Sequence, residues 1–193
     1  SVVYSTISGG TQNLINGNYS TISGGYGNTG INSLFNTNNY STISGGYSNH
    51  VQITNTNPVH YFVIGGGDRN VVTTNASGAD YHTILGGTQN LTTYIAPTIG
   101  GGSNNTSGSY GTIIGGLSNN TNFSDFNSNN SSNATVFGGY GNTSHIKSII
   151  LGGTGNNALG PYSTVLGGTI NRTQYSGVST IATNSLIGGG INN

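Results

Sequence analysis

The sequence predicts an all-β protein: a parallel β-solenoid, or β-roll, of about eleven stacked coils. Three observations support this prediction. A glycine pair recurs along the whole chain, an asparagine follows each pair at a fixed distance, and a β-branched residue precedes it. Self-similarity of this kind is typical of repeat architectures in which each unit stacks on its neighbours. The polar composition alone would also allow disorder, but the periodicity argues against it.

The glycine pairs are predicted to form the corners of the coils. The first glycines, taken as anchors, are Gly9, Gly24, Gly45, Gly66, Gly86, Gly100, Gly115, Gly138, Gly152, Gly167 and Gly188. Successive anchors lie 14–15 or 20–23 residues apart, which separates short coils from long ones. Glycine is favoured at these corners because it adopts positive φ without a steric penalty.

An asparagine stands four residues after every anchor. These asparagines are Asn13, Asn28, Asn49, Asn70, Asn90, Asn104, Asn119, Asn142, Asn156, Asn171 and Asn192. Because they occupy the same place in every coil, their side-chain amides can bond to one another along the axis. The sequence therefore predicts a structural asparagine ladder.

Short strands are predicted before the corners. Two residues before the anchor, ten of eleven positions are aliphatic, and Thr98 is the exception. Threonine recurs one residue earlier and tyrosine two residues before that, so the pattern alternates as a strand with one buried face does. The glycine density disfavours helix. A short coil is expected to hold two facing strands of about four residues, and the extra residues of long coils (31–38, 50–60 and 121–133) are expected to form loops on one side.

A second apolar stripe is predicted beside the corners of the later coils. The residue just before the anchor is small in the first four coils and large afterwards. The large residues are Leu85, Ile99, Ile114, Phe137, Leu151, Leu166 and Ile187. Since this position points away from the buried one, the stripe should lie outside and mark an interface with another copy. The alternative is that inside and outside are exchanged in these coils.

Composition limits the partners and the location. The 193 residues include only three basic and three acidic side chains, so nucleic acid and anionic membranes gain no electrostatic attraction. The absence of cysteine excludes disulfides and thiolate metal sites. No apolar run approaches the length of a transmembrane helix. We expect an extracellular protein at a cell or virion surface.

Few side chains could perform acid–base or metal chemistry. They are His50, His60, His82, His145, Asp68, Asp80 and Asp125. None belongs to the repeat, and only Asp80 and His82 have a spacing that places them on one strand face. We expect isolated, solvated loop residues and predict no catalytic, metal or cofactor site and no enzyme. A calcium-binding roll would need an aspartate in every repeat. The glycine triplets are expected to be corners and not phosphate loops, because no helix follows them.

Glycosylation sequons of the form N-x-S/T are numerous. Those on ladder asparagines should be sequestered by stacking. The candidates for glycosylation lie in long loops and are Asn75, Asn122, Asn129, Asn130 and Asn133.

Residues 19–29 (YSTISGGYGNT) and 112–121 (TIIGGLSNNT) resemble the head repeats of trimeric autotransporter adhesins of the YadA type and related repeats of viral and phage fibres. The resemblance implies a left-handed parallel β-roll. It also implies three chains packed side by side and attachment to a host-surface or matrix receptor.

The predicted function is a structural or adhesive fibre subunit, with residues 1–193 forming one repeat domain without capping repeats. Copies should associate side by side. Placing one chain's end against the next chain's start gives a 14-residue join, which suggests head-to-tail filaments, although a segment of a longer array would have the same phase.

Two other functions compete with the fibre. An ice-binding solenoid would use the threonine position, which is interrupted at Val63, Pro97, Ile149 and Ser185. An enzyme on a β-helix scaffold, such as a polysaccharide lyase, would need a cluster of charged residues that this composition does not offer.

Overall fold

The computed structural model describes residues 4–31, 39–53, 60–74, 80–121, 133–173 and 184–193. In these ranges all regular elements are β-strands. The strands are β1 Thr6–Ile7, β2 Leu14–Asn16, β3 Thr21–Ile22, β4 Thr29–Ile31, β5 Asn39–Ile43, β6 His50–Ile53, β7 His60–Ile64, β8 Val71–Thr74, β9 Asp80–Ile84, β10 Leu91–Thr93, β11 Thr98–Ile99, β12 Thr106–Ser107, β13 Thr112–Ile113, β14 Thr135–Val136, β15 Thr143–Ser144, β16 Ile149–Ile150, β17 Asn157–Ala158, β18 Thr164–Val165, β19 Arg172–Thr173 and β20 Leu186–Ile187.

The strands stack into parallel sheets, which confirms the predicted solenoid. One sheet has eleven strands in the order β1-β3-β5-β7-β9-β11-β13-β14-β16-β18-β20, so every coil contributes one strand. The opposite wall consists of a six-stranded sheet, β12-β10-β8-β6-β4-β2, and a three-stranded sheet, β15-β17-β19. A further row of single parallel bridges joins successive coils just after the glycine corner, from Thr11 to Ile191.

A column of inward-pointing aliphatic residues builds much of the core. In nine coils the isoleucine or valine two residues before the anchor is buried, namely Ile22, Ile43, Ile64, Ile84, Ile99, Ile113, Val136, Ile150 and Val165. Val51, Val72 and Ala158 face them from the opposite wall. Burying each large aliphatic side chain contributes about 1.5–3 kcal/mol. The inside and outside of the coils are therefore not exchanged.

Two coils are shifted by one residue from the predicted phase. Thr98 pairs with Thr83 and Thr112, and Ile187 pairs with Val165. The anchors of these coils are consequently Gly101 and Gly189, not Gly100 and Gly188. Both coils contain three consecutive glycines, so the sequence offers two phases, and burial of the isoleucine selects the second. Ile99 and Ile187 accordingly leave the predicted outer stripe; Ile99 is buried and Ile187 is partly buried against the core.

At each corner the backbone conformation requires glycine at the second position of the pair. Its φ lies between 84° and 104° in all eleven coils. A Cβ added to Gly116 would overlap the carbonyl oxygen of Gly139 and Nδ2 of Asn119. A Cβ on Gly115, the first glycine, would meet nothing within 4 Å.

Strand length differs from the prediction. Most strands of the short coils have two residues instead of the expected four; β13 and β16 are examples. The long coils at β5, β7 and β9 have five-residue strands instead. The predicted loop at residues 50–60 is wrong at both ends, because residues 50–53 form β6 and residue 60 begins β7. Residues 32–38, 54–59 and 122–132 of the predicted loops lie outside the described residues.

Candidate functional surfaces

The asparagine ladder runs through all eleven coils. In each central coil the asparagine Nδ2 donates two hydrogen bonds to backbone carbonyl oxygens, one on the first glycine of its own coil and one on the second glycine of the next coil. For Asn49 these acceptors are Gly45 O at 2.9 Å and Gly67 O at 3.0 Å. Its Oδ1 accepts the backbone N–H of Asn70 at 3.0 Å. The ladder therefore ties side chains mainly to backbone groups, and direct amide–amide bonds such as Asn49 to Asn28 at 3.1 Å add to it.

The predicted ladder is right at nine positions and wrong at Asn104 and Asn192. Asn105 bonds to Asn90 and Asn193 bonds to Asn171 in their place. The residue before the ladder asparagine has φ between 51° and 64° in every coil. Asn104 and Asn192 occupy this left-handed position, which asparagine tolerates better than most residues. The sequence is therefore compatible with either asparagine of the pair as the ladder residue. The ladder is Asn13, Asn28, Asn49, Asn70, Asn90, Asn105, Asn119, Asn142, Asn156, Asn171 and Asn193.

Of the glycosylation candidates, Asn133 is the one that lies within the described residues. It is exposed and lies two residues before the start of β14. Asn75, Asn122, Asn129 and Asn130 lie outside the described residues.

Three of the ionisable residues that we expected in solvated loops are buried together inside the solenoid. His60 and Asp80 have no exposed surface, and His60 Nδ1 lies 3.3 Å from Asp80 Oδ2. Thr74 donates its hydroxyl to the same carboxylate oxygen. His82 lies edge-on to Phe62, with ring centroids 5.2 Å apart. The expectation of solvated loop residues is wrong here because the long strands β7 and β9 carry these side chains into the core.

Burial determines the chemistry of His82. Desolvation lowers its pKa to about 4, against smaller opposing effects of Asp80 and the Tyr94 carbonyl. Nδ1 lies 3.2 Å from Thr92 Oγ1 and Nε2 lies 2.5 Å from Tyr94 O. These contacts engage both nitrogens of a neutral His82 ring, and His60, Asp80 and His82 are all buried, so the cluster forms part of the core.

The other ionisable groups are dispersed. His145 is also buried, and Asp125 lies outside the described residues. Asp68 pairs with the adjacent Arg69 at the surface, at 3.0 Å. Among the described residues, no group of three or more His, Cys, Asp or Glu side chains is arranged to hold a metal ion. Within the same ranges, no helix is long and apolar enough to cross a membrane.

The outer face of the eleven-stranded sheet carries three columns of side chains. The tyrosine column consists of Tyr4, Tyr19, Tyr40, Tyr61 and Tyr81, five before the anchor in the first five coils. The threonine column, three before the anchor, consists of Thr6, Thr21, Thr42, Thr83, Thr98, Thr112, Thr135 and Thr164. The apolar column, one before the anchor, consists of Leu85, Ile114, Phe137, Leu151 and Leu166.

The apolar column is an exposed surface on the later coils. Its five side chains are 45–62% accessible to solvent. Gly100 separates Leu85 from Ile114, and each of the other four residues directly follows one of four neighbouring strands, β13, β14, β16 and β18. In the first coils Ser8, Ser23 and Ser44 occupy the same position. The sequence prediction of a stripe is thus retained at five positions and corrected at Ile99 and Ile187.

The chain matches no protein-family model and no curated protein.

Proposed function

We propose that the chain is a structural or adhesive subunit of an extracellular fibre at a cell or virion surface, in which copies associate side by side. The observation that carries this proposal is the exposed apolar column on one flat wall of the solenoid. Contiguous exposed apolar side chains of this kind mark interaction surfaces. The eleven stacked strands, at about 4.8 Å each, give a rod about 50 Å long.

A second copy is the partner proposed for the apolar column. The chain has a formal net charge of zero and six charged side chains in all, so two copies meet without appreciable repulsion. The five residues of the apolar column are all uncharged. Covering it with an identical column would bury five large side chains from each copy.

Two other parts of the fibre proposal, head-to-tail stacking and attachment to a receptor, come from the sequence alone. Head-to-tail stacking of copies stays a prediction from the sequence. Attachment to a host-surface or matrix receptor rests on the resemblance to adhesin repeats.

Sedimentation of the purified protein at several concentrations tests side-by-side association. We expect oligomers of the wild type and a shift to monomers when Phe137→Ser and Leu151→Ser are combined. Serine occupies the equivalent position in the early coils, so the fold should tolerate both changes. The matched control is Ile170→Ser, which removes an equally exposed apolar side chain outside the column; Ser48 and Ser118 occupy its position in other coils. A monomeric wild type, or equal effects of the two variants, would contradict the proposal.

An ice-binding solenoid remains the second candidate, because the corrected phase makes the threonine column more regular. Thr83, Thr98, Thr112 and Thr135 are consecutive across four strands, and Pro97 and Ser185 no longer interrupt the column. Val63, Ile149 and Leu186 still do. Thermal hysteresis of a dilute solution, lost in a Thr98→Lys and Thr112→Lys double variant, would favour ice binding; no hysteresis would exclude it.

A further inference from the structure

The tyrosine column brings five phenol rings into contact along the axis. Neighbouring ring centroids are 5.5, 5.1, 4.9 and 5.1 Å apart from Tyr4 to Tyr81. Tyr40, Tyr61 and Tyr81 are paired in register on β5, β7 and β9, and their rings are within 5° of parallel. These three rings are also 38–56% exposed. The column is therefore both ordered and open to reagents in solution.

The composition makes tyrosine the principal target of mild one-electron oxidation. The chain contains no cysteine, methionine or tryptophan and has 12 tyrosines. Cysteine and methionine, the side chains that oxidants usually consume first, are thus absent. The chain also has no means of forming a disulfide. Any oxidative cross-link in this chain must therefore use another side chain.

We propose that the tyrosine column is a site of oxidative cross-linking, at which neighbouring rings couple to dityrosine. The co-reactants are hydrogen peroxide and a haem peroxidase. Each phenol gives up one electron and one proton, and the peroxide is reduced to two molecules of water. The two phenoxyl radicals form a carbon–carbon bond between ring positions ortho to the oxygens. Loss of the two ortho hydrogens to the phenolic oxygens restores both aromatic rings, so the bridge has two hydrogen atoms fewer than the separate tyrosines.

The geometry favours coupling within one chain. Once a ring in the column is oxidised, its partner is already held about 5 Å away by the sheet register, whereas a ring of another molecule must diffuse to it. Pre-positioning of this kind raises the effective concentration of a reactant far above that in solution. Tyr26 and Tyr47, stacked at 5.3 Å and 6° in the row of bridges, form a second pair of the same type.

A bridge would join coils that are 15–21 residues apart in sequence. It would hold the early coils together as a disulfide holds a loop of that length, by restricting the unfolded chain. The early coils are also those without the apolar column, apart from Leu85. Cross-linking would therefore reinforce the part of the rod that apolar association does not cover.

Oxidation of the folded protein at high dilution with peroxidase and hydrogen peroxide tests the proposal. The test variant combines Tyr19→Phe, Tyr26→Phe and Tyr61→Phe, which leaves no two stacked tyrosines among the described residues while keeping every aromatic ring. The control variant combines Tyr110→Phe, Tyr140→Phe and Tyr162→Phe. Tyr110 and Tyr140 are 45% and 54% exposed, and the neighbouring coils place Asn133, Leu117 and Thr154 beside them.

Dityrosine fluorescence and the intact mass of the monomer report the result. We expect wild type and control to form monomers that lose two hydrogen atoms per bridge, and the test variant to form none. Linked peptides from a digest of the wild type should join neighbouring rings of the tyrosine column, or Tyr26 to Tyr47, and prior denaturation should abolish them. The proposal is overturned if the test variant keeps its yield, if the linked peptides map to tyrosines that are not stacked on each other, or if oxidation gives only cross-linked dimers or no dityrosine.

Discussion

Replacing Asn105 by alanine tests the ladder at the point where sequence and structure disagree. The side chain of Asn105 makes four polar contacts. Nδ2 donates to Gly101 O and Gly116 O, both at 3.0 Å, and to Asn90 Oδ1 at 3.1 Å. Oδ1 accepts the backbone N–H of Asn119 at 3.0 Å. Alanine removes all four contacts and leaves the backbone of the coil in place.

The cost follows from the groups left without partners. Gly116 O keeps the backbone N–H of Ser103 at 2.9 Å, so it remains bonded. The N–H of Asn119 is buried and loses its acceptor, which costs about 1–3 kcal/mol. Loss of the donor to Gly101 O adds about 1 kcal/mol. We therefore expect Asn105→Ala to lower the free energy of unfolding by about 2–4 kcal/mol.

The control is the adjacent asparagine. Asn104 is exposed, with φ of 55° and one side-chain contact to Ser103 Oγ at 3.3 Å. Glycine occupies this position in three other coils, at residues 27, 141 and 155, so Asn104→Gly should change stability by less than about 0.5 kcal/mol. Urea denaturation followed by circular dichroism measures both. Equal effects, or a larger effect of Asn104→Gly, would refute the assignment of Asn105 to the ladder.

Two further predictions concern a corner and the core. Gly116→Ala should prevent folding of the wild-type coil, because Cβ would overlap Gly139 O and Asn119 Nδ2, whereas Gly115→Ala should be tolerated; soluble yield and circular dichroism of the two variants distinguish these outcomes. For His82, the pKa of about 4 in the folded protein lies below about 6.5 in the unfolded chain, so the unfolded state binds more protons between these pH values. Stability should be full above pH 6.5 and fall by about 3 kcal/mol as the pH is lowered to 4, and denaturation at several pH values should show most of this dependence lost in His82→Phe.

The sequence predicts the repeat well because each repeated residue has one mechanical task. The inward isoleucine, the second glycine and the ladder asparagine each occupy one fixed position in the coil, so the sequence predicts their phase. The phase fails at residues 100–105 and 188–193, where a third glycine and a second asparagine fit two registers. Only burial of Ile99 and Ile187, a three-dimensional property, decides between them.

The buried ionisable cluster could not be predicted in the same way. Histidine and aspartate do not recur in the other coils at the positions of His60 and Asp80, so the repeat pattern says nothing about these two residues. Their burial depends on how far β7 and β9 extend before the corner, which the repeat does not encode. The usual preference of charged side chains for solvent then gave the wrong expectation.

The outer face can change along the rod because successive residues of a strand point to opposite sides. The inward column is isoleucine or valine from Ile22 to Val165, while the position beside it changes from serine to large apolar residues without disturbing the core. The two columns meet at β9. Tyr81 on this strand is the last ring of the tyrosine column, and Leu85, which directly follows the strand, is the first residue of the apolar column. The two surfaces thus occupy successive parts of one wall. Substitutions in the tyrosine column should therefore leave association intact, and serine in the apolar column should leave dityrosine formation intact, which makes the two proposals independent of each other.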